Sequence, residues 1–221
     1  MFDFEDRANA GRRLTVRLAS MAIADPVVLA LPRGGVPVGY EIAKALGASL
    51  DLLLVRKIGL PSQPELAAAA VVDGERSDVV LNEEVMAWAG LSQSTFDALV
   101  QKELHEIERR RAAYLSGRAP VSVAGKTAIV VDDGIATGTT VRAALKALAR
   151  RGARRLILAV PVAPADEVAS LRRMIDDVVC LLTPDVFYGI GEFYRDFHQL
   201  TDREVVDLLH QDPVAEGPGP H

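Results

Sequence analysis

The chain has 221 residues, 49% hydrophobic and 25% charged, with a formal net charge of −5. That length suits one generous globular domain or a domain with an insertion, and an acidic chain without a long basic block argues against nucleic acid as a partner. The single cysteine excludes an internal disulfide, no apolar run approaches the ~18 residues of a membrane span, and the polar, acidic start MFDFEDRANAGRR is unlike a secretory signal. These features predict a cytoplasmic protein with no membrane partner.

In chain order, residues 6–24 carry Leu14, Leu18 and Met21 at helical spacing. PVVLALP (26–32) is a short apolar run closed by RGG, which predicts a buried strand ending in a tight loop. VGYEIAKALG then reads as a helix stopped by Gly47. LDLLLVRK (50–57) reads as the next strand, and IGLPSQPEL (58–66), with two prolines and a glycine, as a mobile loop. Residues 67–74 and 78–82 read as short extended segments. Asn82 caps a brief helix through Trp88, and Ser94-x-x-Asp97 resembles the start of a longer one from Thr95 to about Leu115. Its RRR run, Arg109 to Arg111, reads as a solvated helix face. Together these helices form an insertion, 82–118, between two strands.

GKTAIVVDD (125–133) reads as a core strand and TTVRAALKALARRG as a helix stopped by Gly152. A strand (154–162), a helix (165–174) and a strand (177–184) follow, with Cys180 as a strand residue rather than a nucleophile. Thr201-x-x-Glu204 caps the last helix, and the Pro/Gly-rich 212–221 reads as a disordered tail. Apolar strands alternating with helices predict an α/β fold with a central, mostly parallel sheet covered on both faces. Ligands of such sheets bind beyond the carboxyl ends of the strands. Here those ends are PRGG, RK and DDGIATGTT.

The last of these ends is the most informative. In IVVDDGIATGTTV (129–141) a buried strand runs into Asp132 and Asp133, then into small and hydroxylated residues that open a helix. A small-residue turn at a helix N-terminus offers backbone N–H groups and a partial positive charge to a phosphate. No lysine follows, so this is not the loop of nucleotide triphosphatases. An ordinary strand–helix turn would account for one threonine, but not for the run or for the adjacent acids. Two neighbouring carboxylates need a cation or hydrogen-bond donors, and vicinal sugar hydroxyls with Mg²⁺ nearby supply both. The stretch therefore reads as a holder for a sugar 5-phosphate.

VVDDGIATGTT resembles the signature of the type I phosphoribosyltransferases. The resemblance implies that fold, with a helical insertion and a small C-terminal hood (184–200) on a single domain spanning 1–211. It implies that Asp132 and Asp133 hold the ribose hydroxyls of phosphoribosyl pyrophosphate (PRPP), and that Ala136, Thr137, Gly138, Thr139 and Thr140 hold its 5-phosphate. LPRGGVPVGYEIAKALG (31–47) resembles the family's pyrophosphate loop, which puts Arg33, Gly34 and Gly35 on pyrophosphate and a non-proline cis peptide at Pro32–Arg33. LLLVRK with the loop after it matches the element that supplies Arg56 and Lys57 to pyrophosphate and a lid over the reaction; Lys57 joins the two acids as a catalytic candidate.

LLTPDVFYGIGEFYRDF (181–197) resembles the hood of the hypoxanthine-guanine enzymes, which assigns Val186, Phe187 and Tyr188 to the acceptor. Its aromatic residues read equally well as a small local core. Mg²⁺ is the implied cofactor, bound through PRPP with Asp132 and Asp133 as candidate ligands. The implied partners are PRPP, a small-molecule acceptor and a second copy of the chain in a dimer. The reaction implied is transfer of a 5-phosphoribosyl group to a nitrogenous acceptor of nucleobase type with release of pyrophosphate. The alternatives are a non-catalytic PRPP- or nucleotide-binding regulator and an interaction protein working through the insertion. Two departures stand out. Ala136 replaces the aspartate that exchanges a proton with the base in 6-oxopurine enzymes, and Gly134 replaces an apolar residue, which would loosen the loop.

Overall fold

The computed structural model describes residues 2–75, 77–115 and 118–211. The proposed tail, 212–221, lies outside them. Helix α1 (Arg7–Ala19) precedes strand β1 (Pro26–Ala30), helix α2 (Gly35–Leu46) and strand β2 (Ser49–Leu52). Strands β3 (Val55–Leu60), β4 (Gln63–Val72) and β5 (Asp78–Leu81) follow, then helices α3 (Glu83–Ala89) and α4 (Gln93–Leu115). Strand β6 (Thr127–Val131), α5 (Thr139–Arg150), β7 (Arg155–Val162), α6 (Ala165–Leu171), β8 (Asp177–Leu182) and α7 (Asp202–His210) complete the order.

Five strands form a parallel sheet in the order β2-β1-β6-β7-β8. From β1 the chain first crosses to β2 and later returns to β6 on the other side of β1. The crevice between β1 and β6 is thus the switch point at which α/β sheets bind ligands. Alternate residues on each strand feed opposite cores. Val28, Ala30, Ile129 and Val131 pack with α1, α2, α4 and α7, while Val27, Leu29, Ala128 and Val130 pack with α5 and α6. A fully buried side chain such as Ile129 contributes roughly 1.5–3 kcal/mol, so this period-two pattern fixes the register of the central strands.

The region after β2 differs from the sequence reading. The run 50–57 is not one strand: it breaks after Leu52 and restarts as β3 in a separate antiparallel sheet, β3-β4-β5. Nor is 58–66 a loop. Most of it belongs to the β3–β4 hairpin, turned at Pro61 and Ser62. The prolines misled because Pro61 sits in the turn and Pro64 beside a register shift, where a missing N–H costs little. Helix α4 starts two residues earlier than expected, and Ser92 rather than Ser94 caps it, its Oγ accepting from the Thr95 N–H at 3.2 Å. Asn82 and Thr201 cap α3 and α7 as expected, Thr201 with a full capping box.

The RRR run is not a uniform solvated face. Arg109 and Arg110 pair with Glu106 on the same helix, but Arg111 is largely buried and turns inward to reach Asp51 and Asp73. Among the described residues no helix is long and apolar enough to cross a membrane.

Candidate active site

The loop after β1 and the loop after β6 are held edge to edge. The Leu31 N–H donates to the Val131 carbonyl at 2.9 Å, extending the ladder past both strands. Glycine is required where the loops meet. A Cβ on Gly35 would lie 2.5 Å from the Val131 carbonyl oxygen, and one on Gly34 would lie 2.0 Å from Oδ2 of Asp133. The Pro32–Arg33 peptide is cis, at the position set by the resemblance. Gly34 and Gly35 therefore sit beside the two acids, while the Arg33 side chain turns toward Asp202.

The acids differ in environment. Asp133 is buried; its Oδ2 accepts from Nε of Arg7 at 2.8 Å, and its backbone carbonyl accepts from the Tyr194 hydroxyl at 2.7 Å. The Asp132 Oδ1 accepts the Asp133 N–H at 2.9 Å. Burial pushes Asp132 well above the ordinary carboxylate range, and the charge of Asp133 pushes it further. Burial raises Asp133 too, against the hydrogen bond and charge of Arg7.

After Ile135, whose N–H is tied to the Val162 carbonyl at 2.9 Å, the chain opens outward. Ala136, Thr137 and Thr139 are exposed and Thr140 is half-buried. Gly138 adopts a left-handed conformation, φ 64°, that aims the chain into α5, and no side chain caps the helix. The first-turn N–H groups of α5 lack helical acceptors by geometry, so this end is suited to an anion. A carboxylate stands close by: Glu167 Oε2 would lie 2.6 Å from a Cβ at Gly138, and Arg142 pairs with it. Gly134 does not loosen the loop. A Cβ there would lie 2.7 Å from Ile190, so the glycine lets the hood seat directly on the loop.

Strand alternation separates Arg56 from Lys57. Arg56 shares a face with Ile58, which packs toward α4, and its Nε donates to Glu103 at 2.8 Å. Lys57 is exposed on the opposite face. Its cross-strand partner Ala70 lines a cavity of about 530 Å³ between this sheet and α5, with Thr139 also on its wall. Lys57 thus shares the face turned toward the phosphate loop, whereas Arg56 is engaged with the insertion. Arg33 borders another cavity, about 420 Å³, with Arg109, Arg110 and Tyr114; its guanidinium lies 3.6 Å from Asp202.

The hood is partly a local core. Tyr194 packs on Phe4 and Phe197 with ring centroids 5.2 and 5.0 Å apart. Phe187 stacks on Phe193 at 5.8 Å. Val186 and Tyr188 project into solvent, Tyr188 with 83% of its surface exposed.

Sequence reasoning missed Arg7. A signal was present: Arg7, Ala10, Gly11, Leu14 and Leu18 form the buried stripe of α1, so an arginine occupies a position where the helical pattern asks for an apolar residue.

A glycine loop, paired acids and an open helix N-terminus meet at the switch point of a parallel sheet, the place where α/β proteins of this class bind ligands. Residues 5–198 match the phosphoribosyl transferase domain, and the chain belongs to that family. Two relatives from Mycobacterium tuberculosis, strains CDC 1551 and H37Rv, carry provisional phosphoribosyl transferase designations and are each 47% identical over 217 residues. That match spans 97% of this chain but only 48% of theirs, so the chain covers about half the length of those relatives. The crystal structure of TT1426 from Thermus thermophilus superposes with a TM-score of 0.84 at 37% identity, over 95% of this chain and 98% of that one.

Proposed function

We propose that the protein transfers the 5-phosphoribosyl group of PRPP to a nitrogenous acceptor of nucleobase type and releases pyrophosphate. The observation that carries this reading is the convergence at one switch point of the 32–35 loop, Asp132 with Asp133, and the open 136–140 turn. In this reading Ala136 through Thr140 bind the 5-phosphate through N–H and hydroxyl donors. The N–H group of Gly34, with Arg33 and Lys57, binds pyrophosphate, while the Gly35 N–H already donates to the Leu31 carbonyl at 3.0 Å. Arg56 contributes only if its pair with Glu103 opens.

The C1–O bond to pyrophosphate breaks with its electron pair leaving on oxygen, and the acceptor nitrogen attacks C1. Once the ribose hydroxyls and Mg²⁺ offset the burial that favours its neutral form, Asp132 stabilises as a carboxylate the positive charge that develops there. Asp133 acts from behind, through the backbone it fixes. Ala136 supplies no proton acceptor, so the proton lost by the attacking nitrogen goes to solvent or to pyrophosphate. Tyr188 is better placed than Phe187 to stack on a planar acceptor, because Phe187 is already stacked on Phe193.

The residues fit a magnesium ion bound mainly through substrate. No group of three potential ligand side chains occurs among the described residues, and Mg²⁺ commonly takes one or two carboxylates plus phosphate oxygens. Asp132, with Asp133 behind it, would hold it beside PRPP, and when bound it neutralises charge on the leaving pyrophosphate. The reading includes a homodimer, testable by sedimentation.

Incubating the protein with PRPP, Mg²⁺ and a panel of nucleobases and other nitrogenous acceptors, with pyrophosphate as the readout, tests the proposal. Release should depend on one acceptor class and fall by orders of magnitude in the Asp132→Asn, Asp133→Asn double variant. Retained turnover in that variant would reject the site. A PRPP-dependent rise in melting temperature without pyrophosphate release would instead select a non-catalytic binder, a reading favoured by how fully Asp133 is engaged by Arg7.

A further inference from the structure

Arg7 belongs to α1, 126 residues from Asp133 in sequence. Its side chain is 9% exposed, and a charged group so placed must be paired and hydrogen-bonded to persist. Two of its donors and one face of its guanidinium are engaged. Nε donates to Asp133 Oδ2 at 2.8 Å, Nη1 donates to the His198 carbonyl at 2.9 Å, and the plane lies 3.9 Å from the ring centroid of Phe197. One side chain thus joins the N-terminal helix, the acid pair and the hood.

The surroundings leave Asp133 little room to turn away. Gly34 abuts its carboxylate, and the Tyr194 hydroxyl holds its carbonyl. The Asp133 N–H in turn donates to Asp132, so whatever fixes Asp133 also aims Asp132. The helix carrying Arg7 is itself anchored. Asp6 caps it, accepting the Asn9 N–H at 2.6 Å, and a Cβ at Gly11 would lie 2.8 Å from the Val38 carbonyl of α2. Ahead of it, Phe4 bridges to Tyr194, and the Phe4 N–H donates to the Phe193 carbonyl at 2.9 Å.

We propose that Arg7 is a positioning residue: by holding Asp133 and the hood together it sets the aim of Asp132 and the seat of the acceptor platform. Arginine suits this role and lysine does not. A planar fork reaches a carboxylate and a carbonyl at once while stacking on a ring, whereas an ammonium is a single point of charge. Arg7→Lys should therefore keep a cation beside Asp133 but release the hood, and Arg7→Met should lose both ties. The inference rests on the phosphoribosyl reading only where PRPP is the probe.

The experiment combines hydrogen exchange without ligand and steady-state kinetics with PRPP and the active acceptor. In Arg7→Met, exchange should rise in 132–138 and in 190–198 while the amides of β6 and β7 stay protected. Its kcat should fall on the order of tenfold to a hundredfold, the scale of a misplaced reacting group. Arg7→Lys should recover most of kcat and of the KM for PRPP, yet keep a raised KM for the acceptor and fast exchange in 190–198. Wild-type protection of both segments in Arg7→Met would overturn the proposal, as would Arg7→Lys and Arg7→Met behaving alike. If Arg7→Met does not fold, exchange in Arg7→Lys decides: a hood as protected as in the wild type rejects the role. If wild-type protein shows no response to PRPP, the functional reading fails while the exchange measurements still judge Arg7.

Discussion

Gly35 shows how closely the two ligand loops are fitted. A methyl group there meets the Val131 carbonyl, a backbone atom in the central sheet that cannot swing aside. Gly35→Ala should destabilise the fold by ~1–3 kcal/mol, the usual cost of overpacking, lowering the melting temperature by about 2–4 °C for each kcal/mol in a domain of this size. It should also abolish the PRPP-dependent thermal shift by prising the loops apart. A variant that melts like the wild type and still responds to PRPP would contradict the contact. Much of this site is legible as sequence because its parts are local: PRGG and DDGIATGTT each carry their own turn chemistry. Arg7 was not legible in the same way. Its partner is remote in sequence, and periodicity marks a position as buried without saying what it faces. Arg111 was misread for a related reason, since three adjacent arginines on a helix point in different directions, and only the packing decides which one turns inward.

At the level of elements, strands and helices with regular apolar periods were read nearly to the residue, as α5 shows. The errors fall where one run of sequence serves two sheets. LDLLLVRK is apolar enough for one strand, but the chain leaves the parallel sheet after Leu52 and starts the hairpin at Val55. That break decides the roles of Arg56 and Lys57, since neighbouring residues on a strand point to opposite faces. Lys57→Ala should lower kcat/KM for PRPP by roughly 10²–10³, the scale of losing one preorganised charge-stabilising group. Arg56→Ala should leave kcat/KM within a fewfold and instead loosen α4 through loss of Glu103. The reverse pattern in pyrophosphate-release kinetics would reassign the two.

The hood and α7 meet at His198, between Asp196 and Glu204 at 3.0 Å from each. These acceptors raise the imidazole above its ordinary 6.5, Asp196 first. Both carboxyls are themselves held low, Glu204 at about 2, so they stay charged. A histidine raised in the folded state contributes stability that is complete below 6.5 and is lost as pH climbs through the folded value. The melting-temperature gap between wild type and His198→Gln should be widest below pH 6.5, close above it, and shrink with salt because the groups are exposed. A gap that grows with pH would refute the assignment.

Across the whole molecule, the insertion is held by a buried charge cluster as well as by apolar packing. Arg111 of α4 reaches Asp73, just beyond β4, and lies 3.3 Å from Asp51 of β2. Arg151, at the end of α5, donates to the Val72 carbonyl at 3.0 Å. The cluster therefore ties together both sheets, the insertion and the helix that carries the phosphate loop. Its energetics favour placement over strength. Burial raises Asp73 above the ordinary carboxylate range even with Arg111 beside it, so keeping that carboxylate charged at neutral pH costs stability. Asp51 accepts two backbone N–H groups besides Arg111, those of Val121 and Leu52 at 2.8 Å each; Asp73 accepts one, that of Gly74 at 2.8 Å, and leans more on Arg111. Removing the arginine alone should strand a buried anion and cost about 3–5 kcal/mol, whereas removing both charges should cost much less. Urea unfolding of Arg111→Met and of Arg111→Met with Asp73→Asn separates these cases. The double variant should recover a large part of the single variant's loss, and its PRPP response should return with the fold, because neither residue touches the crevice. Equal losses in the two variants would mean that Arg111 acts by packing its stem between the sheets, and that the insertion is placed by its apolar face alone.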